Sequence, residues 1–167
     1  MAAYDDYVWR LKAEAPHVYD VVLPHDLEWI DEFSWKPISQ VIKPTLTGGI
    51  VIHEYKKQIG RPITLVGADD MAWIQRPLVK EIHTMIQEES IVMTLDFIKA
   101  SYNQSLDTWV FDVLNILQTH KVMFRHTEDP FQVESVKRYG NFENDSWFKV
   151  KSIGFTEVKD NILDPCT

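Results

Sequence analysis

Asp69 and Asp70 stand side by side in "GRPITLVGADDMAWI", Gly60 to Ile74, where two carboxylates could divide the work of a general acid and a general base. Their adjacency argues against it. On a strand the two side chains face apart, and on a helix they diverge by about 100°. A capping role for the element that follows accounts for them, because a carboxylate oxygen accepts bonds from the free first-turn amides of a helix. The six histidines are His17, His25, His53, His83, His120 and His126, and none lies in an H-E-x-x-H pattern. His120 and His126 could share a strand face, and they read as two surface histidines rather than as metal ligands. The lone cysteine, Cys166, can neither close a disulfide within the chain nor build a thiolate metal site. No G-x-S-x-G elbow occurs, and Gly48-Gly49 lacks the Lys-Ser/Thr of a phosphate loop and reads as a turn. Arg125-His126 with Glu128 and Asp129 reads as a solvated charged turn. These residues assign no catalytic group, cofactor or metal; the enzymatic rival is a small soluble hydrolytic enzyme using Asp69, Asp70, His83 or His126.

The elements that would position these groups are mostly strands. Tyr4, Val8 and Leu11 share one helical face, so Asp5 to Glu14 is expected as a short amphipathic helix or arm ended by Pro16, docked on its own domain or reaching a neighbouring subunit. Leu27, Trp29, Phe33 and Trp35 alternate around Asp31 and predict a strand that Pro37 closes. "GGIVIHEY", apolar on both faces, and "RPITLVG" predict a hairpin, with Pro62 at a strand start or on an outer edge. Ile74, Leu78, Ile82 and Met85 or Ile86 recur at helical spacing, and Pro77 places the start of that main helix near Arg76 or Pro77. "SIVMTLDFI", "KVMFRH", "PFQVESVKRY" and "SWFKVKSIGFTEV" read as strands. The last changes apolar phase between Val150 and Ile153, which predicts a bulge or bend near Gly154. Lys99 to His120, "KASYNQSLDTWVFDVLNILQTH", fits strand and helix alike. The fold class is mainly β: an antiparallel barrel or sandwich with one packed helix. Residues 1–20 form the arm, 21–160 a single domain and 161–167 a tail.

A chain of 167 residues with 45% hydrophobic and 25% charged residues is long enough for one globular core. A net charge of −8 removes the electrostatic footprint of a nucleic-acid binder, and no apolar run suits a membrane span or signal peptide, so a cytoplasmic folding site is expected. Six Trp and eight Phe are many for this length and suit an assembly, since large rings supply buried interface area.

The order of segments "VVLPHDLEWIDEFSWKPISQ", "LTGGIVIHEYKKQIGRPITLVGADDMAWIQRPLVKEI", "KVMFRHTEDPF" and "WFKVKSIGFTEV" resembles short tail proteins of tailed bacteriophages, in particular the small β-rich module of distal tail and baseplate ring proteins. "GRPITL" with its acidic turn and Trp73, and "MFRH" with its acidic residue and Pro130, carry most of the likeness, which spans Val21 to Val158. The resemblance implies a structural, non-catalytic ring, commonly of six subunits. Such a ring encircles the end of the tail tube and anchors tip or baseplate proteins, in the virion, after synthesis in the host cytoplasm. A tail completion ring nearer the capsid is the structural alternative. Residues 1 to about 20, and the long stretch Ile98 to His120, depart from the pattern. Ring closure needs heterologous edges and aromatic anchors. The candidate interface is Tyr4, Val8, Trp9, Leu11, Trp29, Trp35, Arg61, Trp73, Trp109 and Trp147, some of them core residues.

Overall fold

The computed structural model describes residues 6–137 and 145–159. In chain order the elements are β1 (Asp6–Ala13), β2 (Tyr19–Val22), β3 (Leu27–Trp29), β4 (Ile38–Pro44), β5 (Ile50–Lys56), β6 (Pro62–Gly67) and β7 (Trp73–Gln75). There follow α1 (Arg76–Gln87), β8 (Met93–Asn103), β9 (Thr108–Phe124), β10 (Phe131–Ser135) and β11 (Trp147–Glu157). The expected mainly β architecture with one packed helix is what forms. A nine-stranded antiparallel sheet runs β2-β1-β8-β9-β11-β6-β3, with β7 and β10 also paired to β11, and β4-β5 make a separate two-stranded sheet. The ladder does not close into a barrel, because β2 and β3 at its ends do not pair with each other. Side chains bridge that opening instead: the Trp9 indole donates to the Leu27 carbonyl at 3.3 Å and meets Trp29 edge to face.

Strand β11 organises the sheet because each of its edges is shared by two strands. Along one edge, Trp147–Lys149 pair with β7 and Ser152–Thr156 with β6; along the other, Phe148–Ile153 pair with β10 and Phe155–Glu157 with β9. The change of partner needs a kink, and the register supplies it: Gln132 pairs with Ser152 but Val133 with Val150, leaving Lys151 as the extra residue of a bulge. This is the bulge expected from the phase change between Val150 and Ile153, three residues before Gly154. Gly67 lets the β6–β7 turn lie on that kink. A Cβ there would sit 2.7 Å from the Ala72 Cβ and closer still to the Val150 carbonyl oxygen.

Sequence and structure part in four places. Asp6–Ala13 is a strand and not a helix, pairing with both β2 and β8. Trp9, Leu11 and Ala13 line the main core on alternate positions while Val8 faces a smaller cluster with Ile98 and Ala100. Burial on both faces outweighs the helical spacing of Val8 and Leu11. Strand β3 ends at Trp29 rather than Trp35, because Asp31 turns the chain: its carboxylate accepts from Trp29 Nε1 at 2.6 Å, Thr64 N at 2.8 Å and Thr64 Oγ1 at 2.7 Å. Strand β5 pairs with β4 instead of β6, every residue of β5 being exposed. Strand β6 is internal, so Pro62 takes the other expected place, at the strand start opposite Thr156. Finally, Asp69 and Asp70 do not cap α1, whose N-cap is Gln75 without a side-chain bond; the Arg76 amide donates to the Ser146 carbonyl at 3.0 Å.

The helix itself starts where Pro77 requires, and it buries Val79, Ile82 and Met85 in the main core. The undecided stretch, Lys99 to His120, is the end of β8, the turn after it and most of β9, and its ambiguity has a cause. Ile98 pairs with Ile116 but Ala100 with Phe111, so residues 112–115 have no place in the register. Asp112 stabilises this enlarged bulge by accepting from the Leu114 amide at 3.1 Å and Asn115 Nδ2 at 2.5 Å. The inserted residues break the alternation and produce a helix-like spacing of Val110, Val113, Leu114 and Leu117.

Two outcomes follow from this architecture. Gly67→Ala overpacks the β6–β7 turn against β11 and should destabilise the protein by about 1–3 kcal/mol in denaturant titration. Deleting Met1 to Pro16 removes an internal strand, so the truncated chain should lose its cooperative thermal transition in circular dichroism, where a mere docked arm would leave it intact.

Candidate functional site

Three tryptophans far apart in sequence converge on one open cleft. Trp73 on β7 and Trp147 at the start of β11 have ring centroids 6.3 Å apart; Trp109 on β9 stands T-shaped to its cross-strand partner Tyr102 on β8 at 5.4 Å. Val22 at the end of β2, Leu23 to His25 of the β2–β3 connection, and Ile74, Gln75 and Leu78 complete a cleft of about 300 Å³. Trp73 and Trp147 remain 44% and 41% exposed, so their faces are open to a partner.

The acidic turn positions the first of these rings. Asp70 and Ala72 adopt left-handed backbone with φ of 62° and 55°, a conformation that costs about 1–2 kcal/mol for a residue with a Cβ. The turn is held from three sides. The Trp73 indole donates to the Asp70 carbonyl at 3.0 Å, Lys149 donates to the Asp70 carboxylate, and the Val150 amide donates to the Ala72 carbonyl at 3.0 Å. The Lys149 hydrogen bond and charge hold the Asp70 carboxyl below its ordinary range. Across the cleft the Tyr102 phenol donates to the Asp107 carboxylate, which raises the Tyr102 pKa because ionisation would break that bond beside a like charge. Asp107 sits at the β8–β9 turn with φ of 49°, so this bond also pins the hairpin end.

The remaining candidate residues lie elsewhere. Val8, Trp9 and Leu11 are buried, Trp9 against Phe97 and Trp29. Trp29 contacts His120 edge to face, and the Arg61 guanidinium lies 4.4 Å over the Trp29 ring while donating to the Glu32 carbonyl at 2.6 Å. These contacts join β1, β3, β8, β9 and Arg61, the residue before β6. Trp35 is half-buried in the segment after β3, and Tyr4 lies outside the described residues.

The groups considered for catalysis are dispersed. Asp70 is engaged by Lys149, and Asp69 is exposed beside it. His83 packs edge to face on Phe131 from α1, and His126 on Phe124 beyond β9. His120 bonds Glu157 at 2.9 Å on the sheet, away from His126. Among the described residues no group of three or more His, Cys, Asp or Glu is arranged to hold a metal ion. No helix among them is long and apolar enough to cross a membrane. The sequence reading named Trp73, Trp109 and Trp147 but not their meeting, nor Tyr102; only the aromatic excess pointed that way.

Comparison with protein-family models, with curated proteins and with solved structures returns no match for this chain.

The Tyr102–Asp107 pair has a pH signature. A raised folded-state pKa contributes stability that is present below the unfolded tyrosine value and is lost as pH rises through the folded value. Asp107→Asn should therefore bring the Tyr102 ionisation back toward the ordinary tyrosine range in an ultraviolet difference titration, read against Tyr102→Phe. An unchanged titration would mean that the pair does not form.

Proposed function

We propose that this chain is a virion structural protein of a phage tail tip or baseplate, assembling as a ring around the distal end of the tail tube and anchoring tip components. The observation that carries the reading is where the exposed apolar surface lies. Among the described residues it is concentrated on two hairpins and the aromatic cleft. Strands β4 and β5 expose Ile38, Val41, Ile42, Ile50, Val51, Ile52 and Tyr55, with Leu46 at their turn; β9 exposes Val110, Val113, Leu114, Ile116 and Leu117. Scattered single apolar residues need no explanation, but contiguous patches mark surfaces that a partner covers.

A ring component needs two different complementary surfaces per subunit, so that each copy offers one to the next and accepts the other. An exposed apolar β4–β5 hairpin and an aromatic cleft lined by none of its residues are two such different surfaces. The net charge of −8 suits a ring around a conduit for DNA, because like charge keeps phosphate from sticking.

Two measurements on one preparation test this. Negative-stain imaging of purified protein is expected to show closed rings, and antibody labelling of intact particles is expected to mark the tail tip. A stable monomer that never enters particles would contradict the proposal.

A further inference from the structure

We infer that the β4–β5 hairpin of one copy seats in the Trp73–Trp147 cleft of a second copy. This rests on the proposed self-assembly and names its contact. The hairpin is the first reason. A two-stranded ribbon alone is marginal in water, and all but one of the residues in these two strands are exposed. Towards its turn one face is wholly apolar: Ile42 and Pro44 pair across the strands with Ile52 and Ile50. Something of matching character has to cover that face.

The hairpin does not occupy the cleft of its own copy. Its base is tied near the Glu157 end of β11, where the Gly60 amide donates to the Glu157 carbonyl at 3.1 Å and the Lys57 amide to the Pro37 carbonyl at 2.7 Å. The cleft lies at the other end, on Trp147. At about 3.3 Å per residue those ends are roughly 30 Å apart, so a hairpin seated in its own cleft would have to lie along the body. Its exposure shows that it is not folded back over the body. The contact is therefore between copies and heterologous, the kind that propagates around a ring.

Charge selects the same pairing. The chain from 36 to 57 carries Lys36, Lys43, Lys56 and Lys57 against one carboxylate, Glu54, although the whole protein is acidic. Within three positions of the lining residues the chain carries Asp26, Glu28, Glu81, Asp107, Asp112 and Asp145 against Arg76, Lys80 and Lys99, while Asp70 and Lys149 are paired with each other and Asp20 with Arg10. The rings of Trp73 and Trp147 offer flat apolar faces to isoleucine side chains, and the acidic balance of the adjoining chain suits the hairpin's lysines. A standard interface takes about 800 Å² and roughly 20–30 residues from each partner, the scale of this hairpin with its base.

Complementation between two broken copies tests the contact. Ile42→Asp damages the hairpin and keeps the cleft; Trp147→Ser damages the cleft and keeps the hairpin. By native mass spectrometry of the full chain, wild type should assemble, and each variant alone should self-associate more than about tenfold more weakly. Mixed, the two should form a one-to-one dimer through their remaining intact surfaces. Assembly of both variants like wild type, or a mixture of monomers beside an assembling wild type, would overturn this contact and leave self-assembly standing, with the cleft serving another partner. A wild type that stays monomeric up to its solubility limit would overturn both. Should Trp147→Ser fail to fold by circular dichroism, Gln75→Lys places a cation in the same cleft from an exposed position and serves in its stead.

Discussion

The bulge of strand β11 is the constraint on which the rest of the molecule depends. One strand pairs with β7 and β10 over its first half and with β6 and β9 over its second, and the handover requires the extra residue Lys151. The kink aims Trp147 away from the main core, while Val150, Ile153 and Phe155 point into it. It also leaves a hollow that only Gly67 can enter, so that β6 and β7 follow the same edge with the acidic turn between them. The stretch Gly60 to Ile74 is thus a strand, a turn and a second strand laid against a single kinked partner. Asp69 and Asp70 lie in the connection that carries the chain past the kink, β6 and β7 running in the same direction along one edge of β11, and Lys149 holds Asp70 from that strand.

From this constraint the division of labour follows. The core of β1, β6, β8, β11 and α1 contains the deeply buried Leu11, Ile63, Leu65, Ile82, Leu95 and Phe155, the burial that makes a body of this size stable. The β4–β5 hairpin adds little to it. Its exposed apolar side chains are a cost to a lone, dissolved monomer, and they become intelligible if the assembled state is the one the sequence specifies. The distal half of β8–β9 is intermediate. It is anchored by Arg10, whose guanidinium lies 4.3 Å over the Phe111 ring and binds Asp20 at 2.7 and 2.5 Å, yet it presents Val113 and Leu114 to solvent.

The helix was legible because its signals agreed: Leu78, Ile82 and Met85 keep one face, and Pro77 fits only the first turn. The bulge was legible because a period-2 pattern slipped by one residue at Lys151. What misled was local and real. Val8 and Leu11 do fit a helix, but Trp9, Leu11 and Ala13 also fit a strand, and only the presence of β2 and β8 on either side decides between them. The bulge at residues 112–115 imitates a helical repeat for the same reason that it disrupts the strand. "GGIVIHEY" was read as pairing forward to β6, whereas the Gly48-containing turn joins it back to β4. The aromatic cleft had no local signature at all. Trp73, Trp109 and Trp147 meet through the register of five strands, and no window of the sequence contains that information.

The central claim is that the hairpin stands off a folded body and becomes covered when copies assemble. Amide hydrogen exchange measured on the same protein at dilute and at assembling concentration addresses it directly, since protection reports local opening. The amides of residues 38–56 should exchange rapidly in the dilute monomer and slow on assembly, while those of β11 stay protected in both. A hairpin already protected in the monomer, or still unprotected in the assembled protein, would contradict the account.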